Sequence, residues 1–297
     1  YMSYTAPHDP LMAWPEDIAK YQGKYMDGYE ATRKARFEKQ KAMGLIAADY
    51  PLSKATYQDW DRLSDDEKKE EDLKMAVYGA MIDRLDQNIG RLLVKLDEMG
   101  VADNTLVLFL SDNGASGEVV NNIIATGEIG TLGRWTSLDK HWANVSNTPL
   151  RFFKNYSSEG GIKTPMIAYW PKVIKEKNKI SNTPLHLIDL MSTFVDVTEV
   201  DYPSTYNNEI IHPLDGISFL PILQGEEVQR TKPLFWQWQH GKAVRDGDWK
   251  LVAHKNKWSL YNLKIDPVET QDFAISNPEK FNELKALYDT WAKEFEM

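Results

Sequence analysis

The sequence predicts an α/β protein with a smaller antiparallel sheet and one packed helix at its C-terminal end. Two patterns carry this prediction. A helical repeat over 65–99 leads into a wholly apolar run over 104–110, as expected where helices cover a sheet. Near residue 225 the pattern changes to short strand-like runs, which a single amphipathic helix follows. We therefore predict a main α/β domain over 1–225 and a small α+β subdomain over 226–297.

The composition indicates a folded chain and excludes several classes of function. The 297 residues are 42% hydrophobic and 11% aromatic, which suffices for a large core. No apolar run reaches eighteen residues, so we expect no transmembrane span and no membrane partner. The formal net charge is −9, whereas a general nucleic-acid binder is expected to be basic. Cysteine is absent, which excludes disulfides and cysteine nucleophiles within these residues.

The first hundred residues contain a predicted strand end and two predicted helices. These elements are a strand ending over 1–6, a charged helix over 16–47 and a longer helix over 65–99. The strand is expected to stop at Pro7, because proline cannot donate to a ladder. Ser64 and Glu67 have capping-box spacing at the start of the long helix, and Gly100 suits its C-terminal end.

The central segment predicts two strands separated by a long loop. The apolar run over 104–110 fits a strand covered on both faces in a parallel sheet. Residues 114–148 show little periodicity, and a loop of that length is usually functional. A second strand is predicted over 162–170, and Thr183 followed by Pro184 predicts the start of a helix.

The C-terminal segment predicts a small antiparallel sheet and a final helix. Its four strand-like runs are 233–238, 242–245, 249–253 and 258–263. The residues at 246–248, Asp-Gly-Asp, favour a tight turn between the second and third runs. A helix with one apolar stripe is predicted to begin at Pro278.

Asp112 and Asn113 are the first candidate site residues. They follow the predicted strand over 104–110, and ligands of open α/β sheets bind beyond the carboxyl ends of the strands. A carboxylate and an amide carbonyl offer hard oxygen atoms, which suit Ca²⁺ or Mg²⁺. Turn formation is the alternative reading, because Asp, Asn and Gly favour turns for backbone reasons. Two ligands are also fewer than the six to eight oxygens that Ca²⁺ takes.

His8 and Lys154 are the second and third candidates. His8 lies in a Pro-flanked loop, and an imidazole suits proton transfer or donation to an anion. Lys154 lies among aromatic residues shortly before Glu159-Gly160-Gly161, and a fixed lysine near a metal suits an oxyanion. Each residue alone also fits an ordinary surface or packing role. The sequence contains no nucleophile elbow, no Walker A loop and no zinc-type histidine spacing.

Several segments together resemble one enzyme family, the sulfatases of arylsulfatase type within the alkaline-phosphatase-like superfamily. These segments are APHDP at 6–10, TLVLFLSDNGAS at 105–116, NTPLRFFKNYSSEGGIKTPMIAYWP at 147–171, LIDLMSTFVDVTEV at 187–200, WKLV at 249–252 and SLYNLKIDPVETQDFA at 259–274. They occur in the family's order and span nearly the whole chain. The resemblance implies an α/β/α sandwich of alkaline-phosphatase type for the main domain.

The resemblance also implies an activity and assigns site residues. It implies a sulfuric ester hydrolase that attacks sulfate esters with a formylglycine nucleophile and Ca²⁺, with Mg²⁺ as the other metal of this chemistry. Asp112 and Asn113 match a pair of metal ligands of the family. His8 matches the histidine that contacts the sulfate ester, and Lys154 matches the lysine that binds a sulfate oxygen. A small-molecule or glycan sulfate ester is the implied substrate.

The sequence departs from the family at its signature. The family has paired metal-binding aspartates and a Cys/Ser-x-Pro-x-Arg motif, whose first residue becomes formylglycine, and neither occurs here. We therefore expect the chain to represent the C-terminal two-thirds of such an enzyme, to be inactive alone and to associate through an exposed sheet edge. The family implies a periplasmic or extracellular enzyme, although the chain starts without a signal-peptide pattern.

Two other functions stay open from the sequence. A phosphoesterase of the same superfamily shares a metal site at the strand ends but has several histidine ligands, and the strand ends here are poor in histidine. A non-catalytic module that binds sulfated glycans would use exposed aromatic residues for stacking. Trp135 and Trp142 are candidates for that role, although packing under a long loop is the favoured interpretation for both.

Overall fold

The computed structural model describes residues 1–120 and 126–295. The chain divides into two compact units, each built from separate segments. Unit 1 contains Tyr1–Lys95, Asn113–Thr164 and Phe235–Met297, and unit 2 contains Leu96–Asp112 and Pro165–Leu234. The predicted domain boundary between residues 225 and 226 stays a prediction. No helix among the described residues combines the length and apolar composition needed to cross a membrane.

The described residues form helices and three small sheets. The helices are α1 (Pro15–Ile18), α2 (Gly28–Ala42), α3 (Asp65–Glu98), α4 (Asp139–Ser146), α5 (Glu159–Ile162), α6 (Asp189–Thr198), α7 (Leu220–Leu223) and α8 (Pro278–Glu294). The strands are β1 (Val107–Leu110), β2 (Met166–Tyr169), β3 (Thr205–Tyr206), β4 (Glu209–Ile210), β5 (Leu234–Trp238), β6 (Gly241–Asp246), β7 (Trp249–His254) and β8 (Lys257–Asn262). The sheets have the orders β1-β2, β3-β4 and β5-β6-β7-β8.

The long helix α3 confirms the prediction made from its capping residues. The Ser64 amide donates to the Glu67 carboxylate at 2.8 Å, and the Glu67 amide donates to the Ser64 hydroxyl at 3.3 Å. This reciprocal pair satisfies amides that the first helical turn leaves unpaired. Gly100 follows the helix at φ +69°, the left-handed conformation that glycine adopts without strain.

The core of unit 1 forms around α3 and α4. Met75, Val77 and Met81 of α3 pack with the buried Tyr29 of α2 and with Trp142 of α4. Tyr29 contacts Trp142 edge to face, with ring centroids 4.6 Å apart. Burial of these large side chains supplies the main apolar stabilisation of this part of the unit.

The C-terminal sheet uses its two faces differently. Val244, Leu251 and Leu260 of adjacent strands pack against Leu284 and Tyr288 of α8, which confirms the predicted sheet with one packed helix. Because side chains alternate along a strand, the residues between them point to the opposite face. That second face presents Lys250, Val252 and Tyr261 together with Trp236.

Three predictions of local structure for the segments of unit 1 were wrong or incomplete. Residues 1–6 form no strand among the described residues, because no described segment pairs with them. The predicted helix over 16–47 is divided into α1 and α2. The Asp72 carboxylate accepts hydrogen bonds from the backbone amides of Gly23 and Tyr25, which lie in the turn between the two helices. The predicted loop over 114–148 contains α4, and its residues 121–125 lie outside the described residues.

The helix predicted to open at Thr183 begins six residues later, at Asp189. The Asp189 carboxylate accepts hydrogen bonds from the amides of His186 and Ile217, at 2.7 and 2.9 Å, and pairs with Arg230. These contacts inside unit 2 fix the start of α6, so a tertiary arrangement overrides the local signal of Thr183 and Pro184.

The apolar run over 104–110 forms β1 in unit 2, but its predicted environment was wrong. β1 pairs antiparallel with β2, with Leu108 opposite Ala168, and Phe109 is 42% exposed. An apolar run shows that a strand can be buried, yet it does not determine the direction of its neighbour. The predicted association through a sheet edge stays a prediction.

Candidate active site

The loop that carries Lys154 is held by one partly buried asparagine side chain, that of Asn147. The Asn147 amide group donates to the carbonyls of Phe152 and Gly160 at 3.0 and 2.8 Å. Its carbonyl oxygen accepts from the Ala115 amide at 3.0 Å, and the Ala115 carbonyl accepts from the Lys154 amide at 3.0 Å. One side chain therefore joins the segment after Asn113 to both ends of the Lys154 loop.

Two glycines allow these backbones to approach each other. The Gly114 amide donates to the Gly161 carbonyl at 3.0 Å, and a Cβ at Gly114 would lie 1.9 Å from the Gly160 carbonyl oxygen. A Cβ at Gly160 would lie 2.2 Å from the Arg151 carbonyl oxygen. No real Cβ contact is that short, so any side chain at either position would force the segments apart. Close packing of the backbones thus requires glycine both at Gly114, after Asp112 and Asn113, and at Gly160, after Glu159.

The far end of the same loop is joined to the C-terminal sheet by buried charges. The Lys250 ammonium lies 2.6 Å from Glu159 and 3.0 Å from Glu269, and all three side chains are buried. Arg151 donates to the Tyr261 hydroxyl at 2.8 Å and to the Glu269 carbonyl at 3.1 Å. These contacts fix the loop against the sheet face opposite α8.

His8 and Lys154, which are distant in sequence, meet in unit 1. The Lys154 Nζ atom lies 3.0 Å from His8 Nε2. His8 Nδ1 faces two acceptors, the Asp9 carbonyl at 2.9 Å and the Asp9 carboxylate at 2.8 Å. Nδ1 therefore carries the proton, and Nε2 accepts from the lysine ammonium. Both side chains stay reachable from solvent, with 47% of His8 and 21% of Lys154 exposed.

Asp9 orients the histidine, a role that the neighbouring residues indicate only weakly. Its side chain is buried, and its Oδ2 atom accepts from Trp135 Nε1 at 3.0 Å and from the Ser137 hydroxyl at 2.9 Å. Two donors from a remote segment thus fix the carboxylate that holds His8. Asp9 stands beside His8 in the sequence, but only the fold shows that the two side chains meet.

Glu118 and Asn155 complete the surroundings of the lysine. The Glu118 carboxylate accepts from the Asn155 amide group at 2.9 Å and from the Lys154 ammonium at 3.1 Å. These two hydrogen bonds, that from Asn155 being the stronger influence, lower the pKa of Glu118. Asn155 in turn accepts from Trp238 Nε1 at 2.9 Å, so a continuous hydrogen-bonded path runs from His8 to Trp238.

The two candidate metal ligands, Asp112 and Asn113, are neighbours in the sequence but belong to different units. Asp112 ends a segment of unit 2, and Asn113 begins a segment of unit 1. The Asn113 amide nitrogen donates to the Gly114 carbonyl at 2.9 Å, which makes its oxygen the atom that would ligate a metal. A carboxylate and an amide oxygen suit a hard cation. Within the described residues, no group of three or more His, Asp or Glu side chains is arranged to hold a metal.

The two tryptophans considered for glycan stacking have packing or positioning roles. Trp142 is fully buried in the core of unit 1, which confirms the packing interpretation for this residue. Trp135 is partly buried and donates to Asp9. Neither residue presents an exposed ring face in the way that glycan stacking requires.

Comparison with known families identifies the larger group to which this site belongs. The sulfatase family profile matches residues 1–200, and the profile for the C-terminal region of N-sulphoglucosamine sulphohydrolase matches residues 150–290. The chain belongs to the sulfatase family. The first match covers His8, Asp112, Asn113 and Lys154, so the candidate residues all lie within the family's own region.

Individual sulfatases resemble the chain over most of its length. An uncharacterised sulfatase of Schizosaccharomyces pombe is 32% identical over 96% of this chain and 55% of its own length. An arylsulfatase of Klebsiella aerogenes is 32% identical over 75% of the chain and 50% of its own length. A choline-sulfatase of Rhizobium meliloti is 25% identical over 93% of the chain and 46% of its own length. The chain thus spans about half the length of these relatives.

Solved structures show the same fold. The complex of Ps i-CgsB with k-i-k-neocarrahexaose matches 98% of this chain and 49% of its own, with a TM-score of 0.64 and 22% identity. BT1596, a 2-O GAG sulfatase, matches 99% of this chain and 66% of its own, with a TM-score of 0.53 and 15% identity. The predicted alkaline-phosphatase-like α/β fold is therefore confirmed for this sulfatase chain.

Proposed function

We propose that the protein that carries this chain hydrolyses sulfate esters, and that His8 and Lys154 bind the sulfate group. The observation that carries this proposal is the 3.0 Å contact between Lys154 Nζ and His8 Nε2. The two residues are separated by 146 positions in the sequence, and they meet at the surface of unit 1. The ammonium donates to a tetrahedral oxyanion, and the imidazole beside it donates as well once its Nε2 atom is protonated.

Each residue has a distinct part in the proposed reaction. Lys154 donates to a sulfate oxygen and stabilises the charge that develops there. His8 acts on the leaving-group side. Once Nε2 has taken up a proton, it gives that proton to the ester oxygen as the bond between sulfur and this oxygen breaks. Asp9 holds the Nδ1–H of His8, so it fixes both the orientation and the tautomer of the ring. Glu118 holds the lysine while the site is empty of substrate, and the sulfate group competes with it for the ammonium.

We also propose that Asp112 and Asn113 supply two ligands to a Ca²⁺ ion. Their oxygen atoms are of the type that Ca²⁺ takes, and Mg²⁺ is the alternative metal. Such an ion neutralises charge on sulfate oxygens and activates a nucleophile when it is bound. Calorimetric titration of Ca²⁺ into wild type and Asp112→Asn tests this assignment without any activity measurement. Equal affinities for the two proteins would contradict it.

The formylglycine nucleophile implied by the family is proposed to lie outside these 297 residues. The chain contains no cysteine and no Ser-x-Pro-x-Arg sequence that could supply it. Small-molecule or glycan sulfate esters are the proposed substrates, in keeping with relatives named arylsulfatase and choline-sulfatase. Export to the periplasm or the extracellular space is proposed on the same family basis.

The hydrolysis of paired substrates tests the proposed activity. The protein that carries this chain should cleave 4-nitrophenyl sulfate in preference to 4-nitrophenyl phosphate. Lys154→Gln should lower kcat/KM for the sulfate by about 100-fold, the usual loss for one oxyanion donor. Lys140→Gln, which removes the same charge from the exposed surface of α4, is the matched control and should leave the rate unchanged. A preference for phosphate would instead favour the phosphoesterase alternative.

A further inference from the structure

Trp238 is an exposed aromatic residue at the end of the path that begins at His8. It is the last residue of β5, and 60% of its surface is exposed. Its indole nitrogen donates to the side-chain Oδ1 atom of Asn155 at 2.9 Å, and Asn155 directly follows Lys154 in the chain. The polar edge of the ring is therefore satisfied by the protein, while much of the apolar ring stays in contact with water.

The hydrogen bonds place this indole in the surroundings of the lysine. Asn155 donates to one oxygen of the Glu118 carboxylate at 2.9 Å, and Lys154 donates to the other at 3.1 Å. The lysine ammonium and the indole are thus connected through only two intervening side chains.

Packing of the strand end fixes the indole relative to the loop. A Cβ at Gly241, the first residue of β6, would lie 2.8 Å from the Ser157 hydroxyl and 3.3 Å from the Asn155 carbonyl. The turn between β5 and β6 therefore rests directly on the Lys154 loop. Tyr156 of that loop also stacks on His254 of β7, with centroids 4.9 Å apart. A rigidly held, partly exposed ring binds a flat partner with little loss of side-chain entropy.

We propose that Trp238 determines substrate specificity by stacking on the ring of the alcohol whose sulfate ester binds at His8 and Lys154. This inference rests on the proposed function and narrows its substrate class to esters of ring-bearing alcohols. Aromatic rings and pyranose rings share the required chemistry, which is a flat apolar face next to a sulfate group. Short alkyl sulfates lack such a face and gain nothing from the indole.

Calorimetric binding of three probes to the full chain tests the inference. The probes are inorganic sulfate, 4-methylumbelliferyl sulfate and glucose 6-sulfate. Trp238→Ala should weaken binding of at least one ring ester about tenfold and change the affinity for inorganic sulfate by less than twofold. Trp238→Phe should retain most of the ring-ester affinity, because a phenyl ring also stacks. Trp14→Ala removes a similarly exposed indole elsewhere in unit 1 and should change none of the affinities.

The outcomes separate this inference from the proposed function. Weakening of only the umbelliferyl ester would identify an aryl substrate, and weakening of only the sugar ester would identify a glycan. Equal weakening of inorganic sulfate and the ring esters would overturn the inference, since Trp238 would then act only through Asn155 and the loop. Unchanged affinities in Trp238→Ala would overturn it as well, while the sulfate site would stand. Failure of the wild type to bind any of the probes would overturn the sulfate site too.

Discussion

Two charged networks hold the same loop of unit 1, and they differ in their exposure to water. At one end, Lys250 is fully buried between Glu159 and Glu269. At the other end, Lys154 meets Glu118 and His8, and these side chains are partly exposed. Each network centres on a lysine of its own. Their positions nevertheless imply different functions.

The difference follows from the cost of moving a charge out of water. Lys250 cannot lose a carboxylate partner without leaving a buried charge uncompensated, so its network serves the fold. Lys154 can exchange its carboxylate partner for another anion, because solvent reaches it and screens the change. The buried network around Lys250 fixes the loop, and the exposed network around Lys154 can bind an anion.

The largest expected effect is on stability, at the buried end. Lys250→Met should lower the free energy of unfolding by about 3–5 kcal/mol, the usual cost of breaking a buried pair. Lys69→Met removes a lysine from a solvent-exposed pair with Asp66 on α3 and should cost at most about 1 kcal/mol. Urea denaturation of both variants measures the difference. Similar costs for the two substitutions would remove the distinction between the networks.

The next effect concerns the close approach in the middle of the loop. Gly160→Ala places a methyl group where the Arg151 carbonyl oxygen lies, so the loop must shift, at a cost of about 1–3 kcal/mol. Gly90→Ala is the matched control, because nothing lies within 4 Å of a Cβ at that position of α3. It should stabilise the protein by about 0.5–1 kcal/mol, since alanine favours a helix over glycine. Thermal unfolding of the two variants should therefore shift in opposite directions.

A smaller loss of folding stability is expected when the pH is lowered. Burial alone would raise the pKa of Glu159, but the charges of Lys250 and Lys163 outweigh it and hold the pKa below the ordinary range of a glutamate. The stability that Glu159 contributes is then present above the ordinary glutamate pKa and lost as the pH falls through the lower, folded-state pKa.

Urea denaturation between about pH 5 and pH 2 measures this loss. Glu159→Gln should flatten the acid limb of the stability curve. Glu269→Gln should not flatten it, because burial and the neighbouring Glu159 raise the pKa of Glu269. A folded-state pKa above the ordinary value contributes no stability that acid removes. An acid limb equally steep in wild type and Glu159→Gln would contradict the assignment.

The smallest effect is expected at the exposed end. Glu118→Gln removes a carboxylate that competes with a bound anion for Lys154, so the affinity for inorganic sulfate should rise about threefold. Glu38→Gln, on the exposed surface of α2, removes the same charge at a position that does not contact Lys154. Calorimetry should show no more than a slight change for this control. A lower affinity in Glu118→Gln would show that the carboxylate supports anion binding instead of competing with it.

The sequence predicted the elements with strong local signals. The capping box at Ser64 and Glu67, the four C-terminal strands and the start of α8 at Pro278 all depend on neighbouring residues, and all are confirmed. The direction of β1 and the start of α6 depend on remote partners, and both were predicted wrongly. Local patterns carry no information about contacts such as those of Asp189.

The candidate site also contains some residues that local sequence indicates and others that only remote contacts reveal. The residue types of His8 and Lys154 indicated anion chemistry, and the fold brings the two side chains together. Asp9, Glu118 and Asn155 were missed because each is recognisable only by its partner in space. The PHDP sequence held a weak signal for Asp9, since two prolines restrict the backbone on either side of the pair. The metal and catalytic roles of the four candidate residues stay predictions.

The central claim is that Lys154 and His8 form an anion site for sulfate. Titration of inorganic sulfate into the wild type, Lys154→Gln and Lys140→Gln tests it most directly. Loss of one charged donor should weaken binding at least tenfold in Lys154→Gln and leave Lys140→Gln within twofold of the wild type. Equal sulfate affinities for wild type and Lys154→Gln would show that the ammonium beside His8 does not bind the anion.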